Sequence, residues 1–416
     1  MEGSGKPQRP MSTQLRYRVT IIAPTCFYYQ APLFRELASD ERIDLTVYFC
    51  SNEGVSGEDV KIAYGSDKNW GVQDELLEGY RHKFLHNHAP RGSYLKSLVG
   101  LANFGVWNEL KRERPDAVII MSWMNPTWWL TFLACLRFKI PLLFMTDANV
   151  DAEQLKSPWK AWIKRIVLDK MIFRGTAGFL CAGTANQSLY TYYGVPKEKL
   201  VHFAYSWGYE AMMQSSEELV AKKKELRRKH GLPEDAVIVL YCGRFSPEKG
   251  SMELVNAYNR IDHPKKALVL VGDGGLRSRM QDFSKEQDLD SIYFMGFQTR
   301  DRMGEFYALA DIFVLPSQKE TWGMVVNEAL CFRLPVIVSD QVGAGVDLVI
   351  PEENGQIFPT GDVQALSEQM TRLISLPEDA RRKMGDRSYK LITSWTDRNL
   401  ALPLREFLDS LYARKG

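Results

Sequence analysis

Cysteine is scarce in this chain of 416 residues. Cys26, Cys50, Cys135, Cys181, Cys242 and Cys331 are scattered, and no two form a C-x-x-C pair. That scatter excludes a disulfide-stapled scaffold and a cysteine-based zinc ribbon; it fits buried free thiols in a reducing, cytoplasmic compartment. Excess charge of one sign is also missing. Lys and Arg number 53 against 51 Asp and Glu, a formal net charge of +2, so no bulk field points to a nucleic-acid partner. Long hydrophobic runs are missing too. The most apolar region, Trp123 to Met145, is interrupted by Asn125, Pro126, Arg137, Lys139 and Pro141, whereas a membrane span needs about 20 consecutive apolar residues. The first sixteen residues, MEGSGKPQRPMSTQLR, are polar and read as a disordered tail rather than a signal peptide. His82, His86 and His88 lie close in sequence, but no cysteine or carboxylate completes a metal set. Glycine is absent from the first strand-to-helix turn, PTCFYYQAP, so the G-x-G-x-x-G dinucleotide fingerprint is not there.

What is present is a long alternation of buried strands and helices. The length suits two or three domains, and 45% hydrophobic with 25% charged residues is a globular profile. Tyr17 to Ala23, Leu45 to Cys50, Ala117 to Met121, Pro141 to Met145 and Gly178 to Ala182 read as strands of a first half. Asn52 to Gly92 reads as one long connection, of the length often seen in functional loops. Tyr94 to Arg112 and Trp128 to Phe138 read as helices. Ser157 to Gly175 reads as a basic amphipathic helix with Trp159, Trp162, Lys160, Lys164, Arg165 and Lys170. Such a helix either packs on a core with a solvated basic face or makes a peripheral membrane contact. Glu217 to His230 reads as a charged helix. After it, strands at Ala236–Cys242, Ala267–Val271 and Ile292–Met295 alternate with helices and glycine turns, as in a doubly wound parallel sheet.

The stretch from Asp311 to Asp347 organises the second half. Ile312 to Leu315 is a buried run closed by Pro316 and Ser317; Gln318 to Thr321 is a polar loop; Met324, Val325, Glu328, Ala329 and Phe332 repeat at helical spacing; Pro335 to Val338 is a second buried run. In a strand–loop–helix–strand unit, ligands sit at the carboxyl ends of the strands. Glu320 and Glu328 flank that place, and the backbone N–H groups around Gly323 open a helix, a position that favours an anion. Arg244 and Lys249, five apart on the loop after an earlier strand, suit one anion together, with a fork of donors on Arg and a point charge on Lys. The run G-D-G-G from Gly272 to Gly275 fits a phosphate-side loop or simply a tight turn.

Glu320 and Glu328 in S-x-x-E-T-W-G-M-V-V-N-E-A-L, followed by PVIVSDQVG, resemble the donor site of retaining GT-B glycosyltransferases of family 4, the "group 1" glycosyl transferases. The resemblance is strong across Val237 to Leu373 and mainly architectural across Tyr17 to Gly208. It implies an α/β fold of two Rossmann-like doubly wound domains facing a central cleft: an acceptor-binding domain at 17–208, a nucleotide-sugar-binding domain at 209–396, and a final helix at 397–413 that packs back on the first. It implies transfer from a nucleoside-diphosphate sugar, a UDP-sugar, to a small-molecule, glycan or lipid-linked acceptor, with no cofactor or metal. Glu320 would meet sugar hydroxyls, Glu328 the ribose, Arg244, Lys249 and the amides of Thr321, Trp322, Gly323, Met324 and Val325 the diphosphate, and Gly272 and Phe297 the nucleotide. Asp147 stands where many relatives carry a histidine, and is a catalytic candidate or a helix-capping aspartate. Tyr29, Gln30, Trp123 and Asn125 are acceptor-side candidates, and Tyr28 and Trp128 are aromatic residues for the same cleft or for the core. A sugar-nucleotide epimerase or hydrolase, or a non-catalytic sugar-nucleotide-binding protein, would use the same fold.

Overall fold

The computed structural model describes residues 16–53, 74–89, 100–121, 125–150, 173–206 and 208–413. Trp123, most of the basic helix expected at Ser157–Gly175 and much of the 52–92 connection lie outside these residues.

Two parallel sheets form the molecule. The first comprises β1 (Tyr17–Ala23), β2 (Ile43–Phe49), β3 (Arg81–Phe84), β4 (Ala117–Met121), β5 (Leu142–Met145), β6 (Gly178–Cys181) and β7 (Leu200–His202). The second comprises β8 (Val237–Cys242), β9 (Lys266–Val271), β10 (Ile292–Gly296), β11 (Ile312–Leu315), β12 (Val336–Ser339) and β13 (Gly355–Phe358). Their orders are β3-β2-β1-β4-β5-β6-β7 and β10-β9-β8-β11-β12-β13. Helices cover both faces, so strands read as continuous apolar runs rather than alternating ones. All four residues of β11 are buried, and each such side chain contributes on the order of 2 kcal/mol by leaving water.

Strand order decides where ligands go. It reverses between β1 and β4 in one sheet and between β8 and β11 in the other, and in open α/β sheets the crevice opens at that reversal, outside the carboxyl ends. The two carboxyl edges face each other. Gly183 and Thr184, just after β6, meet the second domain: the Thr184 N–H donates to Asp347 Oδ2 at 2.9 Å and its hydroxyl donates to Oδ1. A Cβ on Gly183 would come within 2.2 Å of the Trp322 ring. The Asp347 carboxylate thus caps a helix (Thr184–Tyr192) of the other domain.

The final helix, Asp397–Ala413, lies on the first domain. Asp409 accepts from the Tyr17 hydroxyl at 2.8 Å and from Arg42 at 3.1 Å. The Tyr412 hydroxyl donates to the Asp116 carbonyl at 2.6 Å. Leu400, Leu404 and Leu408 form its buried stripe.

Several local expectations change. The 52–92 connection contains β3, an edge strand whose sequence RHKF is mostly exposed, and so carries no hydrophobic signal. The charged helix expected over Glu217–His230 is two helices, Tyr209–Ala221 and Lys223–Lys229, meeting at Lys222. The second is held by Asp311, which accepts from Lys223 at 2.6 Å and Arg227 at 2.7 Å. Among the described residues the helix expected from Tyr94 begins at Gly105. Trp128 is a core residue, 1% exposed and stacked on Phe132, so it does not line the cleft. No helix among the described residues is long and apolar enough to cross a membrane.

Candidate functional site

The loop after β8 and the loop after β11 are built against each other. Gly250 has φ of +65°, and a Cβ there would sit 2.1 Å from the Pro316 carbonyl oxygen. Only glycine permits both the left-handed backbone and the close approach. The Gln318 N–H donates to the Glu248 carbonyl at 2.9 Å, tying the loops further. The result is a direct pair: Lys249 Nζ donates to Glu320 Oε2, with both side chains largely covered. Arg244 stands at the exposed rim, its backbone carbonyl held by the Tyr241 hydroxyl at 2.9 Å. Lys249 and Glu320 are therefore brought together, and Arg244 shares their side of the cleft without sharing that ion pair.

Glu320 is fixed by its backbone. It forms a parallel bridge with Val342, and its carbonyl accepts from the Gly343 N–H at 3.1 Å. Gly323 then turns the chain at φ of +96° into the helix Met324–Cys331. The Val326 N–H bonds back to the Gly323 carbonyl at 2.9 Å, so the N–H groups of Gly323, Met324 and Val325 precede the helical ladder and have no partner within it. Thr321 and Trp322 carry carbonyls packed against Gly343 and Ala344. The Trp322 ring lies against Gly183 of the other domain; its Nε1 donates to Asn327 at 3.0 Å and the ring centroid lies 5.2 Å from that of Trp395.

Glu328 is 6% exposed. It accepts a hydrogen bond from the Tyr307 hydroxyl at 2.5 Å. Burial pushes its carboxyl up to about 7, although the Tyr307 bond and the charge of Arg300 oppose the rise. Tyr307 and Arg300 belong to the helix Arg300–Leu309, which follows β10. Sequence reasoning missed both; the available signal was their spacing of seven, which puts them on one helix face. Phe297 is half-buried just after β10. Gly272 has a packing reason of its own, because a Cβ there would lie 1.9 Å from the Gly243 carbonyl oxygen. That approach brings the loops after β8 and β9 together, with the Phe245 N–H donating to the Asp273 carbonyl at 2.9 Å.

Across the cleft, Tyr29 and Gln30 follow β1, Asn125 follows β4 and Asp147 follows β5. Tyr29 is half-buried in an aromatic group with Phe27 and Tyr28. Gln30 is 5% exposed, and its buried Oε1 has no hydrogen-bond partner among the described residues. Asn125 Oδ1 caps the helix Pro126–Phe138 through the Trp128 N–H at 3.1 Å. Asp147 has an open surface, yet enough protein surrounds it to raise its carboxyl above the usual range by burial. Among the described residues no three of His, Cys, Asp and Glu gather as metal ligands. A surface depression lined by Arg260, Gln364, Ser367, Glu368, Thr371 and Arg372 lies past the end of the helix Ser251–Asn259. That helix starts at the carboxyl edge and runs away from it, so the depression is remote from this chemistry.

Residues 222–391 match the family model described as "Glycosyl transferases group 1". The chain is 32% identical over 174 residues to a GDP-mannose-dependent alpha-mannosyltransferase of Mycobacterium tuberculosis, covering 42% of this chain and 43% of that protein. It is 28% identical over 166 residues to an N-acetyl-alpha-D-glucosaminyl L-malate synthase of Bacillus anthracis, covering 39% of this chain and 42% of the relative. The matched part spans between about a third and a half of several such relatives, 36%, 35%, 48% and 42% of their lengths. Over the whole chain the likeness is one of fold. The Anabaena protein HepE, solved in complex with UDP, superposes with a TM-score of 0.71 at 16% identity, covering 95% of this chain and 100% of that one.

Proposed function

The second domain of this chain is a member of the glycosyl transferases group 1 family, and from that premise we propose that the protein is a retaining, family 4 glycosyltransferase. It takes a sugar from a nucleoside-diphosphate sugar, a UDP-sugar, and gives it to an acceptor held by the first domain. One observation carries the reading: the β8–β11 crevice combines a cation, Lys249, a carboxylate, Glu320, and a helix N-terminus, with a buried carboxylate, Glu328, on the next turn. That set matches the three parts of a nucleotide sugar. The cations Lys249 and Arg244 and the amides from Gly323 to Val325 face the diphosphate. Glu320, released from Lys249 as the phosphates arrive, accepts from sugar hydroxyls. Glu328 accepts from the ribose, and Phe297 and its neighbours meet the base. The fold shared with HepE, solved with UDP, supports the choice of uridine.

In the transfer, the bond between the anomeric carbon and the diphosphate oxygen breaks and its electron pair leaves with the phosphate. The acceptor oxygen forms the new bond on the same face, and its proton passes to the departing phosphate. The chain's own groups stabilise charge on that phosphate, with no metal in the reading; removing one such donor typically costs about 100- to 1000-fold in rate. Closure of the two domains excludes water.

The test is a mass-spectrometric turnover screen with UDP-, GDP-, ADP- and TDP-sugars, each with and without pooled acceptors, beside a Glu320→Ala variant. Acceptor-dependent release of one nucleotide, lost in the variant, is the expected result. Donor consumption or rearrangement indifferent to acceptor would replace transfer by hydrolysis or epimerisation. Tight binding without turnover of any donor would leave a non-catalytic binding protein.

A further inference from the structure

The helix Pro126–Phe138 departs from the pattern of a surface helix, which turns charged and polar residues to water. Its inner face is ordinary: Trp128, Phe132, Ala134 and Cys135 belong to one core with residues of β4, β5 and β6. The opposite face carries Trp129, Leu133 and Leu136, spaced four and three apart and so on one side of the helix. Trp129 is 36% exposed and each leucine 50%. Half-buried Leu130 and exposed Arg137 flank them, and the helix contains no acidic residue. A lone exposed leucine needs no explanation, but a contiguous apolar stripe marks an interaction surface.

The two ends of the stripe differ. At the first turn it is extended by Phe104, also exposed, whose neighbour Asn103 donates its N–H to Thr127 Oγ1 at 2.8 Å. At the last turn it meets cations. A Cβ on Gly175 would lie 3.3 Å from the Leu136 side chain, which sets the exposed pair Arg174-Gly175 beside the stripe. Arg137 and Lys139 are exposed at the same end. The Arg114 guanidinium lies 4.6 Å from the Phe138 ring centroid, and its Nη1 donates to the Phe138 carbonyl at 3.2 Å. Among the described residues no carboxylate pairs with Arg114, Arg137, Lys139 or Arg174. The surface is an apolar strip that ends in four cations.

We propose that this face of the first domain docks on an anionic lipid surface. Trp129, Leu133 and Leu136 enter the boundary between headgroups and acyl chains, and Arg114, Arg137, Lys139 and Arg174 meet lipid phosphates. Such a surface supplies apolar matrix and negative charge together, which is what the strip and its cationic end require. A second copy of the chain fits less well, because it doubles the cations and brings no carboxylate from this helix. Docking is independent of the transfer proposed above and is measurable without it.

Vesicle flotation of the full chain tests it, with phosphatidylcholine vesicles against vesicles of an equal mixture of phosphatidylcholine and phosphatidylglycerol. The parent is expected to float with the anionic vesicles, not with the neutral ones, and to be released by salt. The double variant Leu133→Gln/Leu136→Gln should bind about ten-fold more weakly or worse. The double variant Arg137→Gln/Lys139→Gln should bind about five-fold more weakly or worse. Both change exposed side chains and should unfold thermally like the parent. The proposal is overturned if the anionic vesicles fail to bind the parent, if neutral vesicles bind it as well, or if both variants bind like the parent. Absent vesicle binding with a leucine variant of lowered thermal stability would mean that the chain itself covers the stripe. A dimer in light scattering that the leucine variant dissociates would give the stripe to a second copy, and would overturn the lipid assignment too.

Discussion

At Glu328 the Tyr307 hydroxyl, the Arg300 charge and burial act on one carboxyl, and burial prevails, taking it to about 7. Its folded value lies above the ordinary 4.5, so the ligand-free protein gains stability from this group at acid pH and loses that gain as pH rises through about 7. Ribose hydroxyls donate best to the ionised form. UDP affinity should therefore rise as pH increases from 6 to 8, and binding near pH 7 should release a proton. Calorimetry in two buffers of different ionisation enthalpy reads that proton directly. Tyr307→Phe removes a bond that favours the ionised carboxyl, so it should move the whole binding profile to higher pH. An unchanged profile in the variant would sink the account of Glu328. Losing a hydrogen bond to a charged group should also cost about 1.5–3 kcal/mol of UDP binding or stability above that profile's midpoint.

One scale up, the loop from Arg244 to Gly250 works because a glycine lets two backbones touch. In Gly250→Ala the new Cβ meets backbone rather than a flexible side chain, 2.1 Å from the Pro316 oxygen at a φ of +65°. The loop must move, and Lys249 with it. Expected is a loss of about 1–3 kcal/mol in denaturant unfolding, together with UDP binding at least ten-fold weaker. Stability lost with full UDP affinity would show that Lys249 does not need this placement. Gly323 supplies the left-handed backbone ahead of the helix Met324–Cys331, but a Cβ there would crowd only the side chains of Leu315, Val342 and Glu320.

For the whole molecule, the contact between Asp347 and Thr184 joins the two domains at the mouth of the cleft. Trp322 couples that contact to the donor loop, because its ring packs on Gly183 and Trp395 while its backbone lies between Glu320 and Gly323. Asp347→Ala removes a helix cap between domains, typically worth about 1 kcal/mol, and should shift the population toward more open arrangements. Small-angle scattering should report a larger radius of gyration in the absence of ligand, and steady-state kinetics a lower kcat with UDP binding preserved. Gly183→Ala, which puts a Cβ 2.2 Å from the Trp322 ring, should act in the same direction. Identical scattering and kcat in both variants would mean that closure does not depend on this contact.

Amino-acid order by itself determined the elements that are buried on both faces, since a parallel strand shielded from water must be apolar throughout. β1, β8 and β11 are legible for that reason, and the helix Asp397–Ala413 for its leucine stripe. The placement of Arg244 and Lys249 after β8, of Glu320 after β11 and of Glu328 in the following helix was legible, because a buried apolar run followed by a polar loop marks where each strand ends. Edge strands were not: β3 is exposed, β7 has three residues, and β13 lies in a glycine-bounded turn sequence. The pairing of Lys249 with Glu320, 71 positions apart, the Tyr307–Glu328 bond, and the contact of the Tyr205 and Tyr29 rings were decided only by the tertiary structure. Each joins groups on different elements, and local periodicity holds no information about which elements become neighbours; strand order and the close backbone approaches at Gly250 and Gly272 settle that.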